Sequence, residues 1–483
     1  MTPAQQPPPP APPVLDRPGP ATPARAADAL DPLTGRQGFL PRINWTPPAP
    51  GGRRPVVAVL DTGVDPSHPD LAGVVMTGAG RSFVPSSPDP TVDPEGHGTH
   101  VAGIIAATSG NGVGGSGIAN ARILPVTIAD AQGRTTTTAL VRGLRYASAR
   151  GARVINISFG GRGFSRLEQE AIDLATRRGA LVVAAVGNSG GQGGGPGYPG
   201  AYRQVLAVAA LSADGRALGI SERGAQVALA APGSAIASTG PRRRGGAPPA
   251  GLTQRTGTSM AAAVVTGVAA RVIAQRPGLG AQQVRALLEE TAQDVPPSGL
   301  DTATGAGSVD LAAALAARPP APADPEPNDD FGLALATKPL LRATGPSSAA
   351  RSGRTGSWAD PRDIHRVALR EGDRVTITLA PSGEATGDLD LALWRPGTPA
   401  GARGAAAARS WLVAASLGPQ AQERITAVAT TTGVHLVEVR GVRGGESGSG
   451  RGAIAYTLTV NRGVTAAERD YPAAPDTDRM GRR

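Results

Sequence analysis

Gly257-Thr258-Ser259-Met260-Ala261 is the stretch on which the reading of this 483-residue chain turns. It sets a serine at the mouth of a small-residue apolar run, 260–270, so the hydroxyl is expected in the first turn of an apolar helix. Alone, Thr258 or Ser259 is explained as a helix cap. Two upstream runs change that reading: Val59-Leu60-Asp61-Thr62-Gly63, and Gly96-His97-Gly98-Thr99-His100-Val101-Ala102-Gly103. A lone Asp-Thr-Gly is a strand-to-turn junction, since Asp bonds local backbone and Gly allows the turn. Taken together, the three runs offer an acid, a base and a hydroxyl, the groups that activate a serine for acyl transfer at neutral pH. A fourth run, Val186-Gly187-Asn188-Ser189-Gly190, directly follows an apolar strand; by itself its Asn reads as a turn residue.

The order Asp, His, Ser and the small-residue frames around them resemble the subtilase (subtilisin-like) family of serine endopeptidases over residues 52–318. The resemblance implies roles. Ser259 is the nucleophile, His97 the general base, and Asp61 the group that holds the imidazole; Asn188 is the oxyanion donor beside the Ser259 N–H. His100, one helical turn on, is the competing base, and the resemblance leaves it a structural role. An extended peptide is expected to add as a strand between Gly133-Arg134-Thr135 and Ser158-Phe159-Gly160-Gly161. Gly160, Gly187 and Gly197 would border the primary specificity pocket, and their missing side chains predict a large apolar residue before the scissile bond. The resemblance also implies a structural Ca²⁺ held by Asp70 and Asn111 with carbonyls of Ser109, Val113 and Gly115. A turn-capping Asp70 and an unliganded Gly-rich loop at 109–117 explain the same residues without a metal. No organic cofactor is implied.

Composition bounds the remaining possibilities. Hydrophobic residues make up 40% and charged residues 18%, enough apolar content for a soluble globule, and the length predicts two or three domains. Aromatics are only 3%, so the core must rest on Ala, Val, Leu and Ile. The net charge of +10 is spread over scattered arginines, with Lys338 the only lysine, and the densest run, Arg242-Arg243-Arg244, reads as a solvated loop. No specific nucleic-acid partner follows. With no cysteine there is no disulfide, no thiolate metal site and no cysteine nucleophile. No segment reaches the roughly 18 to 20 uninterrupted apolar residues of a membrane span.

Along the chain, residues 1–51 are Pro- and Ala-rich and read as a disordered segment, with Trp45 marking where docking begins. This stretch is too short and Pro-rich to resemble a folding propeptide, and it lacks a signal peptide's basic-then-apolar pattern. Either the chain begins after an export signal or export is not Sec-type. From 52 to 318 apolar runs at 56–60, 122–128, 153–157, 181–186 and 205–209 alternate with helical patterns at 97–107, 137–150, 166–178, 259–276 and 281–290, and 305–317 resembles the subtilase family's closing helix. That alternation predicts an α/β fold, a parallel sheet with helices on both faces. A Pro/Ala linker at 319–324 leads to short alternating strands at 325–461, expected to form a small all-β sandwich. This region resembles the bacterial pre-peptidase C-terminal domain, departing from it where Ile364-His365 replaces an aromatic pair. Residues 462–483 read as a disordered tail.

The expected activity is that of a monomeric endopeptidase acting on polypeptides, extracellular or at the cell surface. A catalytically silent binding scaffold and a peptide ligase that delivers the acyl group to an amine are the alternatives.

Overall fold

The computed structural model describes residues 30–190, 197–224, 226–241, 251–296, 299, 301–319, 339–341, 348–355, 362–382, 388–398, 410–417, 422–442 and 454–463. The Pro-rich segment 1–29, the arginine run 242–244, the linker 320–324 and the tail 464–483 lie outside them. The chain divides into two compact units, Met1–Glu326 and Pro327–Arg483.

The first unit is built on seven parallel strands: β1 (Val56–Asp61), β2 (Arg81–Ser82), β3 (Arg122–Thr127), β4 (Val154–Ile157), β5 (Leu181–Ala185), β6 (Val205–Leu211) and β7 (Val227–Pro232). They lie in the order β2-β3-β1-β4-β5-β6-β7. The central strands β1, β4 and β5 are apolar at every position but Asp61 and Asn156 because both sheet faces are covered. In β1, Val57 and Val59 enter one core while Ala58 and Leu60 enter the other, as a period of two requires. The first core is filled by α1 (His97–Ala106), α4 (Thr258–Gln275) and α5 (Ala281–Glu290), the second by α2 (Thr137–Ala149) and α3 (Arg166–Arg177). Helix α4 is long and apolar enough to cross a membrane, yet it is the buried central helix of this unit, packed across β4 to β7.

The helices begin where local chemistry supplies caps. Thr136 accepts the Ala139 N–H at the start of α2, and Asp310 accepts the Ala313 N–H at the start of α6 (Leu311–Ala316). The closing helix is shorter than the expected 305–317. Gly305 and Gly307 take φ of +62° and +114°, and Ser308 pairs instead with Gln293 and Ala230, so 305–310 is an extended approach to the helix.

A second difference concerns the segment assigned to disorder. From Asp31 onward the chain is docked: Leu33, Phe39, Leu40 and Ile43 are buried, Leu33 N donates to Gly114 O, and Asn44 reaches Asp310. Four well-spaced apolar side chains outweigh the Pro-rich composition around them. Docking thus precedes Trp45, which is itself partly buried on the core.

A hairpin, β8 (Ile236–Thr239) and β9 (Leu252–Arg255), closes over α1. Gly103 makes the approach possible, for a Cβ there would stand 2.2 Å from Thr239 Oγ1. His100 is fully buried in this contact, its Nε2 facing the Ile236 and Thr253 carbonyls at 3.0 and 3.2 Å. Burial, with repulsion from Arg255 and His97, lowers its pKa to about 3, so it stays neutral and donates.

The second unit is a sandwich of two four-stranded antiparallel sheets. Its strands are β10 (Ser348–Thr355), β11 (Arg362–Leu369), β12 (Arg374–Pro381), β13 (Asp388–Trp394), β14 (Leu412–Ser416), β15 (Glu423–Val428), β16 (Gly433–Val442) and β17 (Ile454–Gly463), ordered β10-β17-β12-β15 and β11-β16-β13-β14. Alternate residues Val375, Ile377 and Leu379 meet Leu389, Leu391 and Leu393 in one core. Asp390 pairs with Arg440 directly across the strands. His365 is buried beside Tyr456, whose hydroxyl also donates to Asp363. The last strand runs to Gly463, past the expected boundary at 461.

Because each unit has its own apolar core, a chain ending at Arg318 is expected to show one cooperative thermal transition by circular dichroism. Progressive melting without a transition would show the cores to be interdependent. In that shortened chain, which lacks His365, His100 should also set an acid limit. Its folded pKa lies below the unfolded 6.5, so between about pH 6.5 and 3 the unfolded state takes up a proton that the native state refuses. Stability then falls with falling pH, by up to about 1.4 kcal/mol per unit for this group. Measured from pH 7 to 4, the melting temperature of this chain should drop relative to that of its His100→Asn variant, in which that linkage is absent while every other titrating group is kept.

Candidate active site

The site lies at the carboxyl ends of the parallel strands, where β1, the start of α1 and the start of α4 converge. Asp61 ends β1 and is fully buried. His97, the first residue of α1, presents Nδ1 to its carboxylate at 2.8 Å from Oδ1 and 3.0 Å from Oδ2. Gly98 makes this approach possible: a Cβ there would stand 2.0 Å from Gly63 O and 2.9 Å from Asp61 Cβ. Burial disfavours charge on His97, but the Asp61 charge and hydrogen bond, helped by Glu95, outweigh it and hold the pKa above its ordinary value.

Beneath this pair sits Asp93, which the sequence reading did not single out. It accepts the Thr62 hydroxyl at 2.7 Å, the Gly96 N–H at 2.8 Å, and both the Thr99 N–H and hydroxyl at 2.8 and 2.6 Å. Burial raises its pKa against those donors. One carboxylate therefore ties the turn after β1 to the first turn of α1.

Ser259 is the second residue of α4, preceded by Gly257 at φ 154°, ψ 168°, a region open essentially to glycine. Its hydroxyl donates to Ser158 O at 3.2 Å, and no hydrogen bond runs from it to His97. The His97 ring packs instead on Phe159, with centroids 5.4 Å apart. Asn188 follows β5; its Oδ1 accepts the Thr258 N–H at 2.9 Å and the Thr258 hydroxyl at 3.0 Å, which turns the amide NH₂ outward at an exposed position. A buried polar chain supports the serine from below. Thr266 on α4 donates to Asn156 Oδ1 at 2.9 Å, and Asn156 Nδ2 donates to Ser158 Oγ at 3.0 Å. A polar residue inside the apolar strand Val154-Ile155-Asn156-Ile157 was the available signal for it.

The two expected substrate segments flank this point. Gly133, at φ +71°, closes a turn whose Thr135 hydroxyl bonds Ile128 O at 2.7 Å, and Phe159 is the neighbour of Gly133. Gly161 pairs with Tyr198, bringing Gly160 against Tyr198 O, where a Cβ would stand at 2.3 Å. Gly187 and Gly197 lie on the far wall. A side chain packs against both: a Cβ on Gly187 would lie 2.6 Å from the Glu222 carboxyl carbon, and one on Gly197 2.8 Å from Glu222 Oε2. A large apolar residue, the expectation from glycines alone, would have to rest against a carboxylate.

Asp70 is fully buried, with Oδ1 bonded by Asn111 Nδ2 at 3.1 Å and Oδ2 by Gly115 N at 2.9 Å. Gly114 is forced here, since a Cβ would stand 2.0 Å from Asp70 Oδ2. Val113 N donates to Asn111 Oδ1, and the Ser109 hydroxyl is buried without a partner. Asp31, from the docked N-terminal segment, accepts Gly110 N and Gly112 N on the same loop. Burial, with repulsion from Asp31, raises the Asp70 pKa to about 6 despite those hydrogen bonds. His68 is explained locally, bonding Asp70 N and Gly251 O.

Comparisons with known proteins place the chain in a family. The Subtilase family pattern matches residues 52–307. Thermitase of Thermoactinomyces vulgaris is 40% identical over 250 residues, which is 52% of this chain and 85% of thermitase. A cell wall-associated protease of Bacillus subtilis is 38% identical over 247 residues, 51% of this chain but 26% of that longer protein. Among solved structures, a protease from Pseudoalteromonas arctica superposes with a TM-score of 0.52 at 30% identity, covering 59% of this chain and 98% of that one. With the family pattern matching 52–307, more than half of the chain, and thermitase covered over 85% of its length, the chain belongs to the subtilase family and is a serine endopeptidase.

Proposed function

We propose that Asp61, His97 and Ser259 form the catalytic triad of this protease and that Asn188 and the Ser259 N–H stabilise the oxyanion. The observation that carries this reading is the His97 Nδ1 to Asp61 contact at 2.8 Å, which fixes the ring so that Nε2 is its free face. Asp61 accepts the Nδ1 proton, leaving the Nε2 lone pair to take the Ser259 proton as Oγ attacks the peptide carbonyl. For that step Ser259 Oγ turns from Ser158 O toward His97. The resulting imidazolium is stabilised by the buried Asp61 charge, and it returns the proton to the leaving amine. Charge growing on the carbonyl oxygen meets the Asn188 NH₂ and the Ser259 N–H, which lies in the first turn of α4 and has no intrahelical carbonyl to meet. Water then repeats the sequence on the acyl-enzyme. The peptide substrate is held extended between 133–135 and 158–161. By analogy with a relative named for the cell wall, the site of action is extracellular or at the cell surface.

Ser259→Ala is expected to lower kcat by about 10⁶-fold with an unchanged melting temperature, since triad members act as a unit. A fluorophosphonate probe should label the native chain and not the variant. Near-normal turnover by the variant would remove Ser259 from the mechanism. The acid limb of kcat/KM should lie above pH 6.5, because the raised His97 pKa means the base is lost to protonation as pH falls through that higher value.

The loop around Asp70 fits a structural Ca²⁺. Asp70 and Asn111, with carbonyls of Ser109, Val113 and Gly115, would supply the hard oxygen ligands, and Asp31 adds a second carboxylate to the same loop. Among the described residues no cluster of three or more His, Asp or Glu forms a metal site, so backbone oxygens would carry much of the coordination. Without a cation, ionised Asp70 is a burden. Its folded pKa of about 6 exceeds the ordinary 3.8, so stability falls as pH rises across that window, by about 3 kcal/mol in all. A bound dication would reverse the sign. EDTA should therefore lower the melting temperature at pH 8 by several degrees, from a loss of about 2.7 kcal/mol if calcium is present at a hundredfold excess over its Kd. Identical melting in calcium and in EDTA would count against the site.

A further inference from the structure

Glu222 is a buried acid that nothing in the fold explains. It is 8% exposed, its Oε2 has no hydrogen-bond partner among the described residues, and no ion pair joins it to an arginine there. Its backbone N–H donates to Gly187 O at 3.0 Å, which ties it to the turn that carries Asn188. Its carboxylate then lies beneath Gly187 and Gly197, the two positions where a Cβ would collide with it. A carboxylate oxygen buried without a partner is costly, so an acid kept in this place calls for a donor that arrives from elsewhere, and a cation is the strongest one.

We propose that Glu222 is the specificity-determining residue of the primary pocket and that this protease cleaves after arginine or lysine. The proposal rests on the serine-protease reading and on the pocket walls at 158–160 and 186–188. An unbranched alkyl stem would pass between the walls as Lys and Arg stems do along apolar surfaces. At the end of the pocket the charged head meets the Glu222 carboxylate in a charge-assisted hydrogen bond. An apolar side chain in the same pocket leaves the carboxylate desolvated and unpaired, so discrimination comes from a penalty on the wrong residue as well as attraction to the right one. The reaction itself is unchanged: Ser259 Oγ bonds the carbonyl carbon of the basic residue, and the amine on its far side departs with the proton from His97.

The test uses the full chain and four succinyl-Ala-Ala-Pro-X-p-nitroanilides, with X as Arg, Lys, Phe or Leu. Arg and Lys substrates should show kcat/KM at least about tenfold above Phe and Leu, and Glu222→Gln, which keeps the side-chain shape, should cut the Arg-to-Phe ratio by on the order of a hundredfold. Benzamidine, a small aromatic cation, should inhibit the native enzyme competitively and lose that effect on the variant. Should Glu222→Gln fail to fold, the native substrate ratio and benzamidine inhibition decide the matter. Faster cleavage of Phe or Leu by the native enzyme, or a ratio unaltered by Glu222→Gln, overturns the proposal while leaving the protease intact. A native chain that cleaves none of the four and takes no fluorophosphonate label overturns the protease reading and this proposal with it.

Discussion

The approach of the first turn of α1 to the carboxyl end of β1 is the contact on which the site depends. It needs a helix to come within bonding distance of a strand end, and Gly98 against Gly63 O and Asp61 permits it. Any side chain at 98 would push His97 away from the carboxylate that orients it. Asp93 then locks the arrangement from below, because it bonds both the turn after β1 through Thr62 and the helix through Gly96 and Thr99. The imidazole is thus positioned by backbone constraints, and its basicity is set by a charge that cannot move.

The serine side is held by a different device. Helix α4 is buried along nearly its whole length, and its polar exceptions are the informative ones: Thr266 grips Asn156, which grips Ser158, whose carbonyl receives the Ser259 hydroxyl. Every member of that chain has a partner, so a polar thread through an apolar core orients without an unsatisfied group. Asn188 is fixed from the same helix by Thr258, so the proposed nucleophile and the proposed oxyanion donor are positioned by one element.

Much of this was legible in the sequence because the motifs are local. The runs around Asp61, His97, Asn188 and Ser259 announce themselves, and the period-two and period-3.6 patterns locate five of the seven parallel strands and the helices that cover them. What escaped was long-range. Strand β2 has two residues and no pattern to read, and β7 follows a turn whose register only the sheet reveals. Asp31 and Leu33 sit in a Pro-rich context, and their order comes from partners at 110–116, some eighty residues away. Asp93 lies in a polar loop without periodicity. The pocket shows the limit most clearly: the glycines at 187 and 197 state what is missing at those positions, while the residue that fills the space comes from 222, in a loop that carries no motif.

His97 and His100 show how far environment, and not residue type, decides chemistry. They stand one helical turn apart on α1, and composition gives no reason to prefer either. His97 faces Asp61, keeps an edge toward solvent, and has its cation favoured by that charge. His100 faces two carbonyls, is sealed by the β8–β9 hairpin, and has its cation opposed by Arg255 and by His97 itself. Protonating one therefore opposes protonating the other. A neutral His100 keeps its donor bond to the hairpin whichever form His97 takes, so the structural contact is insulated from a change of charge three residues before it.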